Sequence, residues 1–257
     1  MTRSQGDRVA SVRDPIETAG ERIREARRLT VLTGAGVSAA SGVPTFRGPD
    51  GLWRSFRGED LATPGAFRRD PRMVWEWYDW RRQRIAACKP NPAHDVLARW
   101  SQRSPSLTLV TQNVDGLHER AGTVRVVRLH GSIWHLRCAR PCAEGGTRRD
   151  GRVPLPELPP RCTCGDYLRP DVIWFGEALD PTVVEQAAEA TARCDLFVTI
   201  GTSALVYPAA GFIHSARAAG AMVVEINPEA TGASDVVDLV VRRPAETALP
   251  ELDRFLQ

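Results

Sequence analysis

Long apolar runs are missing from this chain. No stretch approaches the ~20 consecutive apolar residues that a membrane-spanning helix needs, and the N-terminal residues Met1 to Ala10 lack the apolar core of a secretion signal. A transit peptide is disfavoured too, because Asp7, Asp14 and Glu17 interrupt the pattern of Arg3, Ser4, Arg8, Ser11 and Arg13. The expected compartment is therefore cytoplasmic. An excess of one charge is also missing. With Lys+Arg at 34 and Asp+Glu at 31 the formal charge is +3, too small to expect nucleic acid or an anionic membrane as the main partner. Internal repeats and low-complexity tracts are absent as well, so nothing suggests a solenoid. What remains is the composition of an ordinary soluble enzyme, expected to be a monomer. Its 257 residues suffice for one large domain, or one domain with a smaller module inserted.

Short apolar runs are what the chain does have. Ile16, Ala19, Ile23 and Ala26 recur at helical spacing and predict a first helix ending near Arg28. Leu29 to Thr33 then reads as a buried strand, followed by similar runs at 107–111, 124–129, 196–200, 222–226 and 236–241. Helix-like stretches separate most of them. This alternation predicts an α/β fold, a Rossmann-like, mainly parallel sheet with helices on both faces. The large domain is expected to comprise 1–43, 93–133 and 171–257. Two insertions, 44–92 and 134–170, would form a smaller lobe, the first with a helix near Pro71 to Ala87, the second loop-rich.

Ligands of open parallel sheets bind at the carboxyl ends of the strands. Here those ends are polar: Gly34-Ala35-Gly36, Gln112-Asn113-Val114-Asp115, His130-Gly131-Ser132, Gly201-Thr202-Ser203 and Asn227-Pro228-Glu229. Gly34, Gly36 and Ala39 satisfy G-x-G-x-x-A after a strand, the pattern that receives a pyrophosphate. A nicotinamide dehydrogenase would continue into a second strand ending in an acidic residue ~20 positions on. This chain instead has Pro44, Gly48, Pro49 and Gly51 in that space, which disfavours a strand and suggests a loop lying across the cofactor.

At this point the sequence resembles the sirtuin family. The resemblance rests on Gly34-Ala35-Gly36-Val37-Ser38, Pro44-Thr45-Phe46-Arg47, Thr111-Gln112-Asn113-Val114-Asp115, His130-Gly131, Trp174-Phe175-Gly176-Glu177 and Gly201-Thr202-Ser203, in the family's order, from about Glu21 to Leu252. Thr45 is a departure, since many members carry Asp there. The resemblance implies an NAD-dependent protein-lysine deacylase that uses NAD as co-substrate and acts on acylated lysine side chains of proteins. By the same resemblance, Asn113 and Asp115 position the nicotinamide carboxamide and ribose, Gln112 contacts the ribose hydroxyls, and His130 is the general base. An imidazole near its ordinary pKa of ~6.5 suits that task. Gly34, Ala35, Gly36, Ser38, Thr45, Phe46, Arg47 and Trp53 would line the cofactor cleft, with Gly201, Thr202, Ser203, Asn227 and Ala245 on the adenosine side. Val172 and Trp174 to Glu177 would take the substrate, the latter as an extended segment pairing with its backbone. His94, His118, His135 and His214 keep an ordinary structural reading. An ADP-ribosyltransferase using the same cofactor chemistry, and a non-catalytic NAD-responsive binding module, stay open as alternatives.

Two further features refine this expectation. Tyr78 and Arg81 lie three apart in the predicted helix Pro71 to Ala87, so both project from one face. In an ordinary amphipathic helix such aromatics fill a core and the arginines are solvated. The pair matches the Tyr-x-x-Arg of the sirtuin branch resembling the mitochondrial desuccinylase and its bacterial counterparts, as does Leu61-Ala62-Thr63-Pro64. That likeness implies a preference for succinyl, malonyl or glutaryl groups over acetyl. The chain also holds six cysteines, four of them grouped as Cys138, Cys142, Cys162 and Cys164. In a reducing compartment such a group is read as a metal site. The family carries a structural four-cysteine zinc module here. The spacing is irregular, which makes Cys142 and Cys162 the weaker members and His135 the reserve ligand. Cys88 and Cys194 read as buried thiols.

Overall fold

The computed structural model describes residues 13–43, 58–143 and 146–256. Among the described residues, nine strands and nine α-helices follow in order. The strands are β1 (Leu29–Thr33), β2 (Thr108–Thr111), β3 (Val126–Arg128), β4 (Gly131–Cys138), β5 (Arg148–Arg149), β6 (Leu168–Val172), β7 (Leu196–Ile200), β8 (Met222–Ile226) and β9 (Leu239–Val241). The helices are α1 (Pro15–Glu25), α2 (Gly58–Leu61), α3 (Pro64–Arg69), α4 (Pro71–Ala87), α5 (Pro92–Arg103), α6 (Leu117–Arg120), α7 (Pro181–Arg193), α8 (Gly211–Ala218) and α9 (Ala245–Asp253). None of these helices is long and apolar enough to cross a membrane.

The six apolar runs form one parallel sheet in the order β3-β2-β1-β7-β8-β9. Every residue of β1 and of β7 is buried, as expected for strands covered on both faces. Alternation along each strand sorts the side chains between two layers. Val31, Leu109, Val198 and Val224 pack with Ile16, Leu97, Trp100 and Leu249 of α1, α5 and α9. Leu32, Val110, Phe197 and Val223 pack with Ala187, Phe212 and Ile213 of α7 and α8. From β1 the chain builds outward to β2 and β3 on one side, and later to β7, β8 and β9 on the other. The connections diverge between β1 and β7, and a crevice opens there at the carboxyl ends.

Most described residues of the second insertion lie outside helices and strands, as expected, yet its ends are regular. It contributes to an antiparallel sheet, β5-β4-β6, in which Cys138 pairs with Leu168 and Leu136 with Pro170. A register shift between Ser132 and Leu136 breaks the alternation of β4, which hides a period of two from a sequence reading. The sheet and helices α3 and α4 share a third apolar cluster containing Phe67, Trp75, Trp77, Leu136, Leu168 and Trp174. Helix α4 starts where Asp70 accepts the Met73 N–H at 2.9 Å, with Pro71 in its first turn. Its arginines are not all solvated, for Arg82 is fully buried. That guanidinium donates to the carbonyls of Ile133, Asp150 and Arg152 at 2.8, 2.7 and 2.9 Å, tying α4 to the small sheet.

Candidate active site

The tips of β1 and β7 touch through backbone. Gly34 N–H donates to the Ile200 carbonyl at 3.0 Å and Gly36 N–H to the Gly201 carbonyl at 2.8 Å. A Cβ on Gly36 would lie 2.7 Å from Gly201 Cα, and one on Gly201, at φ +60°, 2.5 Å from the Val37 nitrogen. Only glycines allow this approach. Beyond Gly34 the chain turns through a short 3₁₀ helix, Ala35–Ser41. Polar side chains from neighbouring strand ends converge on the same place. Gln112 donates to the Thr202 hydroxyl at 2.9 Å and Asn227 to the Thr202 carbonyl at 3.0 Å, while Asn113 donates to the Gly34 carbonyl at 3.0 Å.

These tips form one wall of a cleft of about 1240 Å³. Gly34, Ala35, Gly36, Gln112, Asn113, Asp115, His130, Gly201, Thr202, Ser203, Asn227 and Ala245 line it on the sheet side. Tyr78, Arg81, Val172, Trp174, Phe175, Gly176 and Glu177 line it on the other. Residues more than a hundred positions apart thus meet in one cavity. Ser38 differs from its expected place: it is fully buried beneath the cleft and is not among the lining residues. Thr45, Phe46, Arg47 and Trp53 lie outside the described residues, as does the segment Met1 to Ala10.

His130 follows β3. Its Nδ1 lies 3.0 Å from the Gln112 carbonyl, and because a carbonyl only accepts, Nδ1 carries the proton and Nε2 is left as a base. Burial pushes the imidazole below its usual pKa, opposed by that hydrogen bond. The expectation of an ordinary value is therefore corrected: the neutral form persists to lower pH. The next residue must be glycine, since Gly131 sits at φ +77° and a Cβ there would lie 2.1 Å from the Asp171 carbonyl oxygen.

Asp115 is almost wholly buried, and its two oxygens accept the Ser38 hydroxyl and the Leu117 N–H, each at 2.8 Å. Burial raises its pKa above the usual carboxylate value, while these bonds oppose the rise. On the small-lobe wall Tyr78 and Arg81 share one face of α4, both buried. The Arg81 guanidinium lies 4.9 Å from the centroid of the Trp77 ring. Burial pushes Tyr78 up to about 12, so its phenol stays protonated. Trp174 to Glu177 is not extended as expected. Gly176 has φ +87°, and the Glu177 N–H returns to the Trp174 carbonyl at 2.9 Å, forming a turn that leaves Phe175 exposed. The Glu177 carboxylate accepts both the Trp174 N–H at 2.8 Å and a two-pronged Arg169 fork.

Away from the cleft the four cysteines come together. The sulfurs of Cys138, Cys142, Cys162 and Cys164 all lie within 4.8 Å of one another, with Cys138 to Cys164 at 3.6 Å and Cys142 to Cys162 at 3.9 Å. Zinc–thiolate bonds of ~2.3 Å in a tetrahedron place sulfurs about 3.8 Å apart. The donor set and its spacing therefore fit zinc, with Cys142 and Cys162 full members and His135 outside the group. The backbone N–H of Cys164 helps hold the Cys162 thiol down to about 7, which favours the thiolate form that binds metal.

Comparison with known proteins agrees with this geometry. The Sir2 family model matches residues 34–208. This chain belongs to the Sir2, or sirtuin, family. A curated relative from Aquifex aeolicus, described as an NAD-dependent protein deacylase, is 48% identical over 89% of this chain and 95% of its own. A solved Sir2 homologue in complex with NAD superposes with a TM-score of 0.86 at 43% identity, covering 93% of this chain and 92% of its own. A triply substituted Sir2 homologue bound to 2'-O-acetyl ADP ribose gives a TM-score of 0.86 at 42% identity, covering 93% and 95%.

Sequence reasoning missed one layer of the sirtuin site. His94, read as an ordinary core residue, accepts the Asn91 N–H on Nδ1 at 3.3 Å. Its Nε2 consequently carries the proton and meets the Ser38 hydroxyl at 3.3 Å. Ser38 in turn donates to Asp115. Beside it, His118 Nε2 lies 3.0 Å from the Thr33 hydroxyl, and the two rings stand 4.9 Å apart. Burial depresses both imidazoles, His94 to about 4 and His118 to about 3. A signal existed: Asn91 followed three residues later by His94 is a capping box, formed here with His in place of Glu or Gln.

Proposed function

We propose that this sirtuin is an NAD-dependent protein-lysine deacylase preferring succinyl and malonyl groups, with glutaryl a third candidate, over acetyl. The observation that carries the reading is one cleft presenting a neutral imidazole at a sheet tip and a buried tyrosine and arginine on the opposite wall. A dinucleotide suits the sheet wall, because the glycine contact of β1 with β7 leaves backbone where side chains would otherwise stand. In this reading Gly34, Ala35 and Gly36 hold the pyrophosphate region, with Ser38 acting from beneath through Asp115. Gly201, Thr202, Ser203, Asn227 and Ala245 take the adenosine side.

When bound, NAD supplies an electrophilic ribose carbon and nicotinamide as leaving group. Asn113 and Asp115 hold the nicotinamide and ribose, and Gln112 contacts the ribose hydroxyls. His130 Nε2 takes a proton from a ribose hydroxyl, and its Nδ1–H bond to Gln112 keeps that nitrogen basic and aimed. Val172 and the turn Trp174 to Glu177 receive the acylated lysine of a protein substrate. Free lysine, nicotinamide and 2'-O-acyl-ADP-ribose are the products. Tyr78 and Arg81 receive the acyl carboxylate. A guanidinium offers it a planar fork and a phenol a neutral donor, a gain of order ~1 to 3 kcal/mol that acetyl lacks.

Zinc held by Cys138, Cys142, Cys162 and Cys164 is structural, since four thiolates leave no open position for water. The large domain spans 1–43, 93–133 and 171–257, and the small lobe 44–92 and 134–170, joined through β4 and β6. A monomeric cytoplasmic enzyme, with neither nucleic acid nor membrane as partner, completes the reading. The test is a mass-spectrometric panel of one peptide bearing acetyl, succinyl, malonyl or glutaryl lysine, incubated with NAD. Acidic acyl groups should be removed fastest, with free lysine and acyl-ADP-ribose in proportion to nicotinamide. Faster removal of acetyl would sink the acyl preference, and nicotinamide release with label on protein would indicate ADP-ribosyl transfer instead.

A further inference from the structure

The hydroxyl of Tyr78 is held from one side. Trp174 donates its indole N–H to Tyr78 Oη at 2.9 Å, and among the described residues this is the one hydrogen bond that the oxygen makes. A phenol hydroxyl has a single proton and accepts through its lone pairs. With one of its favoured in-plane directions taken by the indole, the proton is left to the other. Arg81, which lines the same cavity, is a donor only and cannot receive that proton. The side of the hydroxyl opposite the indole therefore suits an acceptor, and a carboxylate is the strongest acceptor a neutral phenol meets.

We propose that Trp174 is a specificity-determining positioning residue, whose indole N–H occupies the acceptor side of Tyr78 and so commits the phenol, together with Arg81, to donate to an acyl carboxylate. This role rests on the acidic-acyl reading above and is distinct from backbone contacts of the same segment with substrate. The indole is itself fixed from several directions. The Arg169 guanidinium stacks 3.3 Å from the Trp174 ring centroid and is clamped by Glu177 at 2.5 and 2.8 Å. The Phe67 ring packs at 5.3 Å, and the backbone N–H of Trp174 donates to the Glu177 carboxylate at 2.8 Å. A tryptophan so restrained presents its N–H in one direction, and a phenylalanine in its place would keep the ring packing while releasing the hydroxyl.

The experiment measures kcat/KM on succinyl-lysine and acetyl-lysine versions of one peptide, at saturating NAD, for wild type, Trp174→Phe, Tyr78→Phe and the double variant. Trp174→Phe should lower the succinyl-to-acetyl ratio about tenfold, chiefly through KM for the succinyl peptide, as loss of one aimed hydrogen bond to a charged group requires. The double variant should have the ratio of Tyr78→Phe alone, because the indole acts through the hydroxyl. An unchanged ratio in Trp174→Phe, equal losses on both substrates, or additive losses in the double variant would overturn the role. A wild type that prefers acetyl sinks the acyl reading itself, whereas a succinyl-preferring wild type with an unaltered Trp174→Phe ratio sinks only the role of Trp174. Should Trp174→Phe not fold, ¹⁵N spectra of the wild-type indoles decide. The Trp174 resonance should shift with Tyr78→Phe and respond more to succinyl than to acetyl peptide; equal responses would overturn the proposal.

Discussion

On the sheet side, the cleft is walled by strand ends whose backbones touch; on the small-lobe side, by long side chains whose directions are set by other side chains. Gly36 and Gly201 meet with no room for a Cβ, and that wall rests on a sheet with an apolar layer on each face. Across the cleft, Tyr78, Arg81, Arg82 and Arg169 are all buried, and a three-stranded sheet with short edges supports them. Burying guanidinium groups is costly unless each is hydrogen-bonded, so this wall depends on its polar contacts and on the cysteine cluster. The difference teaches that two walls of one cleft are fixed by different means, backbone geometry in one and satisfied polar side chains in the other.

Removing a cysteine tests that dependence most severely. Cys164→Ser should abolish stoichiometric zinc, read by atomic emission, since structural zinc contributes of order ~10 kcal/mol in small modules. Hydrogen exchange should show the amides of β4 and β6 losing protection first, with β1, β7 and β8 still protected. Simultaneous loss in both sheets would remove the distinction between the walls. Next in size, His130→Ala should cost about 10³-fold or more in kcat, ~4 kcal/mol, with an unchanged circular dichroism spectrum. Retained deacylation in that variant would refute its assignment as base.

Acid should weaken the sheet side from beneath. His94 and His118 are depressed to about 4 and 3 in the fold, against ~6.5 unfolded, so below ~6.5 the unfolded chain binds more protons. Stability is thus complete above pH ~6.5 and falls as pH drops toward 4, by up to about 3 kcal/mol per imidazole. Urea titrations at pH 7 and 4.5 would detect it, and a flat profile would contradict the burial. The acid limb of kcat/KM should likewise lie below ~6.5, since His130 is depressed by burial. The smallest expected effect concerns the substrate wall: Arg81→Met should reduce the succinyl-to-acetyl preference by ~1 to 3 kcal/mol, roughly 5- to 150-fold. Comparable loss on both acyl groups would make Arg81 a structural cation instead.

Much of the sheet wall was legible in advance. Runs such as Leu29 to Thr33 and Leu196 to Ile200 coincide with observed strands, because a strand covered on both faces is a short apolar run bounded by turn residues. Helix α4 coincides with the stretch expected near Pro71 to Ala87, and the Asp70 cap and Pro71 that start it act locally. The small antiparallel sheet was not, because the irregular register of β4 masks its alternation. Ser38 seemed to face the cofactor, yet it lies beneath the cleft against His94 and Asp115. A residue's depth depends on which distant element covers it, here α5, and no local pattern reports that.

The sequence by itself determined the parallel sheet, its polar strand ends, the spacing of Tyr78 and Arg81 on one helix face, and the presence of four thiols. Tertiary structure decided that irregularly spaced cysteines share one tetrahedral volume, that His130 is protonated on Nδ1, and that Tyr78 meets Trp174 96 residues away. The physical reason is range. Periodicity and turn chemistry act over a few residues, whereas the direction of a hydrogen bond and the depth of a charge depend on which remote segments the core brings together.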